Sequence, residues 1–126
     1  MKNMDRLVDD MISSGILQSP LIIDAFRTID RKYFVPEKYK EDTYIDAPLP
    51  IGDYQTISQP STVAFMLEKL DPQDGNTVLD IGSGSGWTTA LLCYMVGDKG
   101  SVTGLERVET LVEQGSENLS KFRFDT

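Results

Sequence analysis

The run Asp80-Ile81-Gly82-Ser83-Gly84-Ser85-Gly86 constrains this chain more than any other stretch. It stands between Thr77-Val78-Leu79-Asp80-Ile81, a short β-branched run that reads as a strand, and an apolar stretch from Thr88 to Val96 that reads as a helix. Three glycines at alternate positions let the backbone turn off a strand tightly and approach a ligand without a Cβ in the way. The helix that follows turns its free amides toward the turn. After an exit at Gly97-Asp98-Lys99-Gly100, Ser101 to Leu105 reads as a second strand closing on Glu106, and Val108 to Phe122 as a further amphipathic helix with Leu111, Val112 and Leu119 inward. A parallel strand–helix–strand unit with glycines at its first turn predicts an α/β fold.

The turn also carries chemistry. Glu106 stands 20 positions after Gly86, at the end of the second strand, where a carboxylate can accept hydrogen bonds from ribose hydroxyls. A glycine-rich turn without a ligand is the bland alternative, and the spaced acid weighs against it. A dinucleotide fingerprint would place its last glycine at position 87, which is Trp87; here it falls at Gly86, and an acid, Asp80, stands just inside the turn. A carboxylate there suits a cofactor bearing an ammonium and a sulfonium better than one bearing a pyrophosphate.

The rest of the chain supplies a cap and a loop. Met4, Leu7, Val8, Met11 and Ile12 have helical spacing; Ser19-Pro20 is an N-cap and first-turn pair, and Leu21, Ile22, Ala25, Phe26 and Ile29 form the stripe of a second helix. Prolines and a glycine in Ala47-Pro48-Leu49-Pro50-Ile51-Gly52 forbid a regular central strand, leaving a long structured loop or a pair of short strands. Pro60 starts a helix capped by Ser58 or Gln59, carrying Val63, Ala64, Met66, Leu67 and Leu70 inward and ending near Asp71-Pro72.

Composition removes other chemistries. With no histidine and one cysteine, Cys93, neither a His-rich metal site nor a Ser-His-Asp triad can be built, and no metal is expected. Twelve basic against twenty acidic residues give a net charge of -8, so nucleic acid is not the expected partner. No apolar run approaches the roughly 18 residues of a membrane span. The start Met1-Lys2-Asn3-Met4-Asp5-Arg6 lacks the apolar stretch of a signal peptide, and a cytoplasmic location is the expectation.

The pattern Asp-x-Gly-x-Gly-x-Gly resembles the first motif of S-adenosylmethionine-dependent methyltransferases. Gln55-Thr56-Ile57-Ser58-Gln59-Pro60 upstream of it resembles protein-L-isoaspartate O-methyltransferases. So do Arg31-Lys32-Tyr33-Phe34-Val35-Pro36, Tyr44-Ile45-Asp46, Leu49-Pro50-Ile51-Gly52, Gly104-Leu105-Glu106-Arg107 and Glu117-Asn118-Leu119, which together span nearly the whole chain. The resemblance implies a Rossmann-like class I methyltransferase with an N-terminal helical cap and substrate-site loop over 1–60 and the first half of the cofactor domain over 61–126. It implies methyl transfer from S-adenosyl-L-methionine to the α-carboxylate of L-isoaspartyl residues in damaged proteins. Ser58 matches the active-site serine; Asp80, Gly82, Ser83, Gly84, Gly86 and Glu106 match the cofactor site; Thr56, Ile57 and Gln59 would shape the substrate pocket. Trp87 would pack beside the cofactor, Cys93 would be a core residue, and Ser61 departs from the aromatic or histidine found in many relatives.

The resemblance also implies a seven-stranded sheet, with the strand of Val78 central and a third strand beginning after Asp125-Thr126. An α/β unit truncated after its second strand and helix would leave a hydrophobic edge and one face of that strand open. Three readings stay open: a fragment of a methyltransferase, a chain completed by a partner or by an exchanged homodimer, or a non-catalytic remnant that binds cofactor weakly.

Overall fold

The computed structural model describes residues 3–122 and 124; the Asp125-Thr126 end, where a third strand was expected to begin, lies outside the described residues. The chain order is helix α1 (Met4–Ser13), helix α2 (Pro20–Thr28), two short 3-10 turns, strands β1 (Leu49–Gly52) and β2 (Gln55–Ile57), helix α3 (Pro60–Leu70), strand β3 (Thr77–Ile81), helix α4 (Trp87–Val96), strand β4 (Ser101–Leu105) and helix α5 (Glu109–Leu119).

β3 and β4 pair in parallel, from Thr77 opposite Ser101 to Ile81 opposite Leu105. α4 is the crossover between them, apolar on every side because the cap helices cover what the strands do not: all but two of its residues are buried. Phe26 of α2 meets the Trp87 ring edge-on at 5.6 Å. One continuous core runs from Met4 and Val8 through Phe26 and Leu91 to Leu111, so cap and crossover share their packing. Each such aliphatic or aromatic side chain contributes roughly 1.5–3 kcal/mol by leaving water.

Local signals set the boundaries. Asn3 caps α1, its side chain accepting from the Arg6 amide at 2.9 Å. Pro20 and Pro60 each open a helix, and Asp71 in the left-handed region closes α3. The 30–60 segment resolves into an antiparallel hairpin, β1 with β2, whose corner passes through Gly52, Asp53 and Tyr54, all at positive φ. Pro50 is tolerated there because a two-stranded hairpin is all edge.

The inward readings of one helix face on α3 and of Val112 on α5 need correction. Met66 and Leu70, read as inward, are 63% and 59% exposed; so is Val112 at 43%. On β3, Leu79 is 55% and Ile81 77% exposed, the open face expected of a strand without further neighbours. Only one face of the β3–β4 pair is covered: Val78, Asp80 and Val102 point to the α4 side, while Leu79, Ile81 and Leu105 point away from it. Apolar pattern marks a surface to be covered and cannot tell whether these 126 residues cover it. Among the described residues no helix is long and apolar enough to cross a membrane.

Candidate functional site

The glycine turn folds back over the end of β4. The Gly82 and Ser83 amides both donate to the Leu105 carbonyl, at 2.7 and 3.0 Å, and the Gly86 amide donates to the Ser83 carbonyl at 2.9 Å. Gly82, Gly84 and Gly86 all have positive φ, which L side chains rarely adopt. Around Gly82 an added Cβ would meet nothing within 4 Å, so its backbone faces open space. At Gly84 it would lie 3.2 Å from Ile51 Cδ1, so the hairpin rests directly on the turn.

Glu106 closes the turn from the other side. One carboxylate oxygen accepts from the Gly84 amide at 2.9 Å and the other from the Val108 amide at 3.0 Å. These amides, Val108 first, hold its pKa below the ordinary carboxylate range against a small cost of burial. Its remaining lone pairs face a hollow of about 420 Å³ lined by Ile51, Gln55, Thr56, Gly82, Gly84 and Arg107. A second, larger hollow of about 670 Å³ adjoins it through Ile81 and Gly82, and on this one lie Ser58, Thr62, Asp80 and Thr88, with Phe65, Met66 and Leu70 along its rim.

Asp80 projects toward α4 and accepts from the Thr89 hydroxyl at 2.7 Å. Burial raises its pKa, with that hydrogen bond opposing the rise. Ser58 is exposed, and among the described residues its hydroxyl makes no hydrogen bond; its carbonyl accepts from Arg31 at 3.1 Å. Of the two caps expected for α3, Ser58 or Gln59, Gln59 stands at the N-cap position but offers no side-chain cap, while the carboxylate of Asp46 accepts from the Ser61 amide at 2.8 Å. The serine hydroxyl is therefore uncommitted.

Of the residues singled out from sequence, Ser58, Thr56, Asp80, Gly82, Gly84 and Glu106 share these two joined hollows. Others do not. Ile57 is buried in the core, Gln59 lines neither hollow, and Ser83 and Gly86 line a third hollow of about 480 Å³ between β4, α4 and α5, which Glu106 and Cys93 also border. Cys93 is buried, as expected, and burial pushes its thiol up to about 11. Trp87 does not face the hollows: it is fully buried, its indole N–H donating to the Ile29 carbonyl at 3.3 Å. It is a core residue that joins α4 to the cap. Among the described residues no cluster of three or more His, Cys, Asp or Glu side chains is placed to hold a metal.

Several supporting residues carried no chemical signal in the sequence. Gly115, inside α5, lets that helix approach the turn: a Cβ there would stand 2.8 Å from the Gly84 carbonyl oxygen. One turn further along, Asn118 donates to the Ser85 carbonyl at 3.0 Å. Asp53 at the hairpin corner accepts from the Thr110 hydroxyl at the start of α5. A mid-helix glycine and a buried asparagine with spacing 115, 118 are the only trace these contacts leave.

Known proteins share this arrangement. The family model described as Protein-L-isoaspartate(D-aspartate) O-methyltransferase matches residues 2–125. A protein-L-isoaspartate O-methyltransferase from Aeropyrum pernix is 45% identical over 116 residues, covering 92% of this chain and 45% of the relative. One from Methanopyrus kandleri is 40% identical over 121 residues, covering 96% of this chain and 54% of the relative. A Plasmodium falciparum protein of that description, crystallised with S-adenosyl-L-homocysteine, superposes with a TM-score of 0.86 at 29% identity, covering 96% of this chain and 56% of the other. The chain thus spans about half the length of the relatives it matches. With its turn, acid and hairpin in the places described, the chain belongs to the protein-L-isoaspartate(D-aspartate) O-methyltransferase family.

Proposed function

We propose that this chain takes part in S-adenosyl-L-methionine-dependent methylation of the α-carboxylate of L-isoaspartyl residues in damaged proteins and peptides. The observation that carries this reading is the junction at Ile81–Gly82, where a hollow holding Glu106 meets one holding the uncommitted Ser58 hydroxyl. The site fits the cofactor. Space over Gly82 is open to a ligand lying on the backbone, Glu106 keeps free lone pairs for ribose hydroxyls, and Asp80 offers a carboxylate to an ammonium.

S-adenosyl-L-methionine, when bound, would supply an electrophilic methyl group on a sulfonium whose sulfur departs as a neutral thioether. The residues of the chain have a modest task beside it. Gly82 and Gly84 receive the ligand, Glu106 and Asp80 orient it, and the Ser58 hydroxyl donates to the substrate carboxylate. Thr56 and Gln59 shape the approach. The nucleophile is already an anion at neutral pH, so no strong base is required, and a chain without histidine can perform this work by alignment and exclusion of water. The backbone amide nitrogen that follows attacks the methyl ester and methanol leaves, giving a succinimide, and addition of water to that ring can yield normal aspartate. A buried, unpaired thiol at Cys93 suits a reducing compartment, and we place the reaction in the cytoplasm.

One observation favours a second reading, in which these residues work only beneath a covering partner. Leu79, Ile81, Phe65, Met66 and Leu70 form an exposed apolar border around the Ser58 hollow. A purified chain given a labelled methyl donor and an isoaspartyl peptide separates the two. Turnover above background supports the first reading; S-adenosyl-L-homocysteine binding without turnover supports the second. No calorimetric heat at millimolar S-adenosyl-L-homocysteine refutes a cofactor site. If Glu106→Ala leaves that affinity unchanged, the ribose role of Glu106 is wrong.

A further inference from the structure

Arg31 is fully buried and forms no ion pair with a carboxylate among the described residues. Its four Nη hydrogens go to carbonyls instead: Nη1 donates to Thr43 and Ile45 at 2.9 and 3.0 Å, Nη2 to Ala47 and Ser58 at 2.9 and 3.1 Å. The guanidinium lies over the Trp87 ring at 5.3 Å, and Nε alone is left without a partner. Burial pulls its pKa down to about 10, so it stays charged at neutral pH.

The pattern of acceptors is informative. Residues 43, 45 and 47 alternate along a segment that belongs to no helix or strand, so the guanidinium fork supplies the hydrogen bonds a ladder would otherwise give. That same segment carries Asp46, which accepts from the Ser61 amide at 2.8 Å. The backbone around Ser58 is thereby held at two points, its own carbonyl by Arg31 and the amide three residues on by Asp46. The third anchor, Trp87, is the residue that follows the glycine turn.

We infer that Arg31 is a positioning residue that fixes Ser58 relative to the glycine turn, with Asp46 as its relay to the start of α3. The inference rests on the reading that Ser58 meets the substrate carboxylate. A lysine keeps the charge but offers its donors from one point, so it cannot serve four carbonyls spread around a planar fork.

The test uses the whole 126-residue chain with Arg31→Lys and Asp46→Ala, the latter a change at an exposed side chain. Hydrogen exchange is followed by segment, and binding of a synthetic isoaspartyl peptide and of S-adenosyl-L-homocysteine is measured by calorimetry. Exchange should quicken at residues 43–47 and 58–62 while α1, α2 and α4 keep their protection. Peptide affinity should fall about tenfold, the scale of a misplaced contact group, with S-adenosyl-L-homocysteine affinity changed less than about twofold. Unchanged exchange at 58–62, or loss of protection spread evenly over all helices, overturns the inference. If Arg31→Lys does not fold, Asp46→Ala decides alone. If the unaltered chain takes up no peptide, the methyltransferase reading is what fails, and the exchange pattern still decides whether Arg31 and Asp46 hold Ser58.

Discussion

Replacing Gly115 with alanine sets two effects of opposite sign against each other. In the middle of a helix, alanine is better than glycine by roughly 1 kcal/mol, because the glycine backbone has more freedom to lose. At this position, however, the new Cβ would stand 2.8 Å from the Gly84 carbonyl oxygen, where ordinary contact begins near 3.4 Å, so helix or turn must yield by 0.6 Å. The opposing atom is backbone, and Gly84 is itself tied to Glu106 at 2.9 Å, so neither side moves freely. Overpacking of this kind costs about 1–3 kcal/mol. The sum is a net loss of about 1 kcal/mol, or about 4 °C in melting temperature for a chain of this size. Urea unfolding measured with unchanged slope reads the stability, and calorimetry with S-adenosyl-L-homocysteine reads the turn, where affinity should drop. A variant about 1 kcal/mol more stable with unaltered affinity would show that α5 stands off from the turn, and the packing argument would fail.

Ser58→Ala should leave the melting temperature within about 1 °C, since the hydroxyl caps nothing, while peptide affinity falls; a cap lost there would cost about 1 kcal/mol instead. Glu68 accepts from the Gln18 and Ser19 amides and the Ser19 hydroxyl at 2.8, 2.9 and 2.6 Å. Burial works to raise its pKa, but these three bonds outweigh it and the value is lowered below 4.5. A lowered carboxylate stabilises the fold above its unfolded pKa, and that stability is lost as pH falls through the folded value. Melting curves of the chain and of Glu68→Gln should therefore differ at pH 7 and converge well below pH 4.5; a constant gap across that range refutes the linkage. Ile81→Lys, on the bare face of β3, should reduce self-association seen by sedimentation, and a chain already monomeric at high concentration would contradict the reading of that face as sticky.

Much of this was legible in the sequence, for physical reasons that differ by residue. The strand pair, the crossover and the turn were readable because glycine spacing and a terminal acid are local signals with few alternatives. Ser19-Pro20 and Pro60 announced their helices because proline presets φ at a helix start. What stayed hidden was relational. Trp87 looked like a cofactor neighbour because it follows Gly86, but α2 brings Phe26 and Ile29 onto it, and no spacing rule foretells that packing. Arg31 and Asp46 sit inside a recognisable motif, yet their partners at 43–47, 58 and 61 are fixed by the path of an irregular segment. Met66, Leu70 and Val112 carry an inward pattern yet are exposed, because spacing alone does not say what packs against a helix face.

The position of Trp87 gives the chain a built-in optical probe of unusual selectivity. It is the only tryptophan, shielded from water, with a cation over its ring and Phe26 at its edge. Its emission therefore reports whether α2, on which α1 packs, is seated on α4, shifting to the red when it lifts. Trp87 lines neither hollow beside Glu106 and Gly82, so a ligand settling there should leave the emission unchanged. Emission and calorimetry accordingly read two separate events in one molecule, the docking of the cap and the filling of the site.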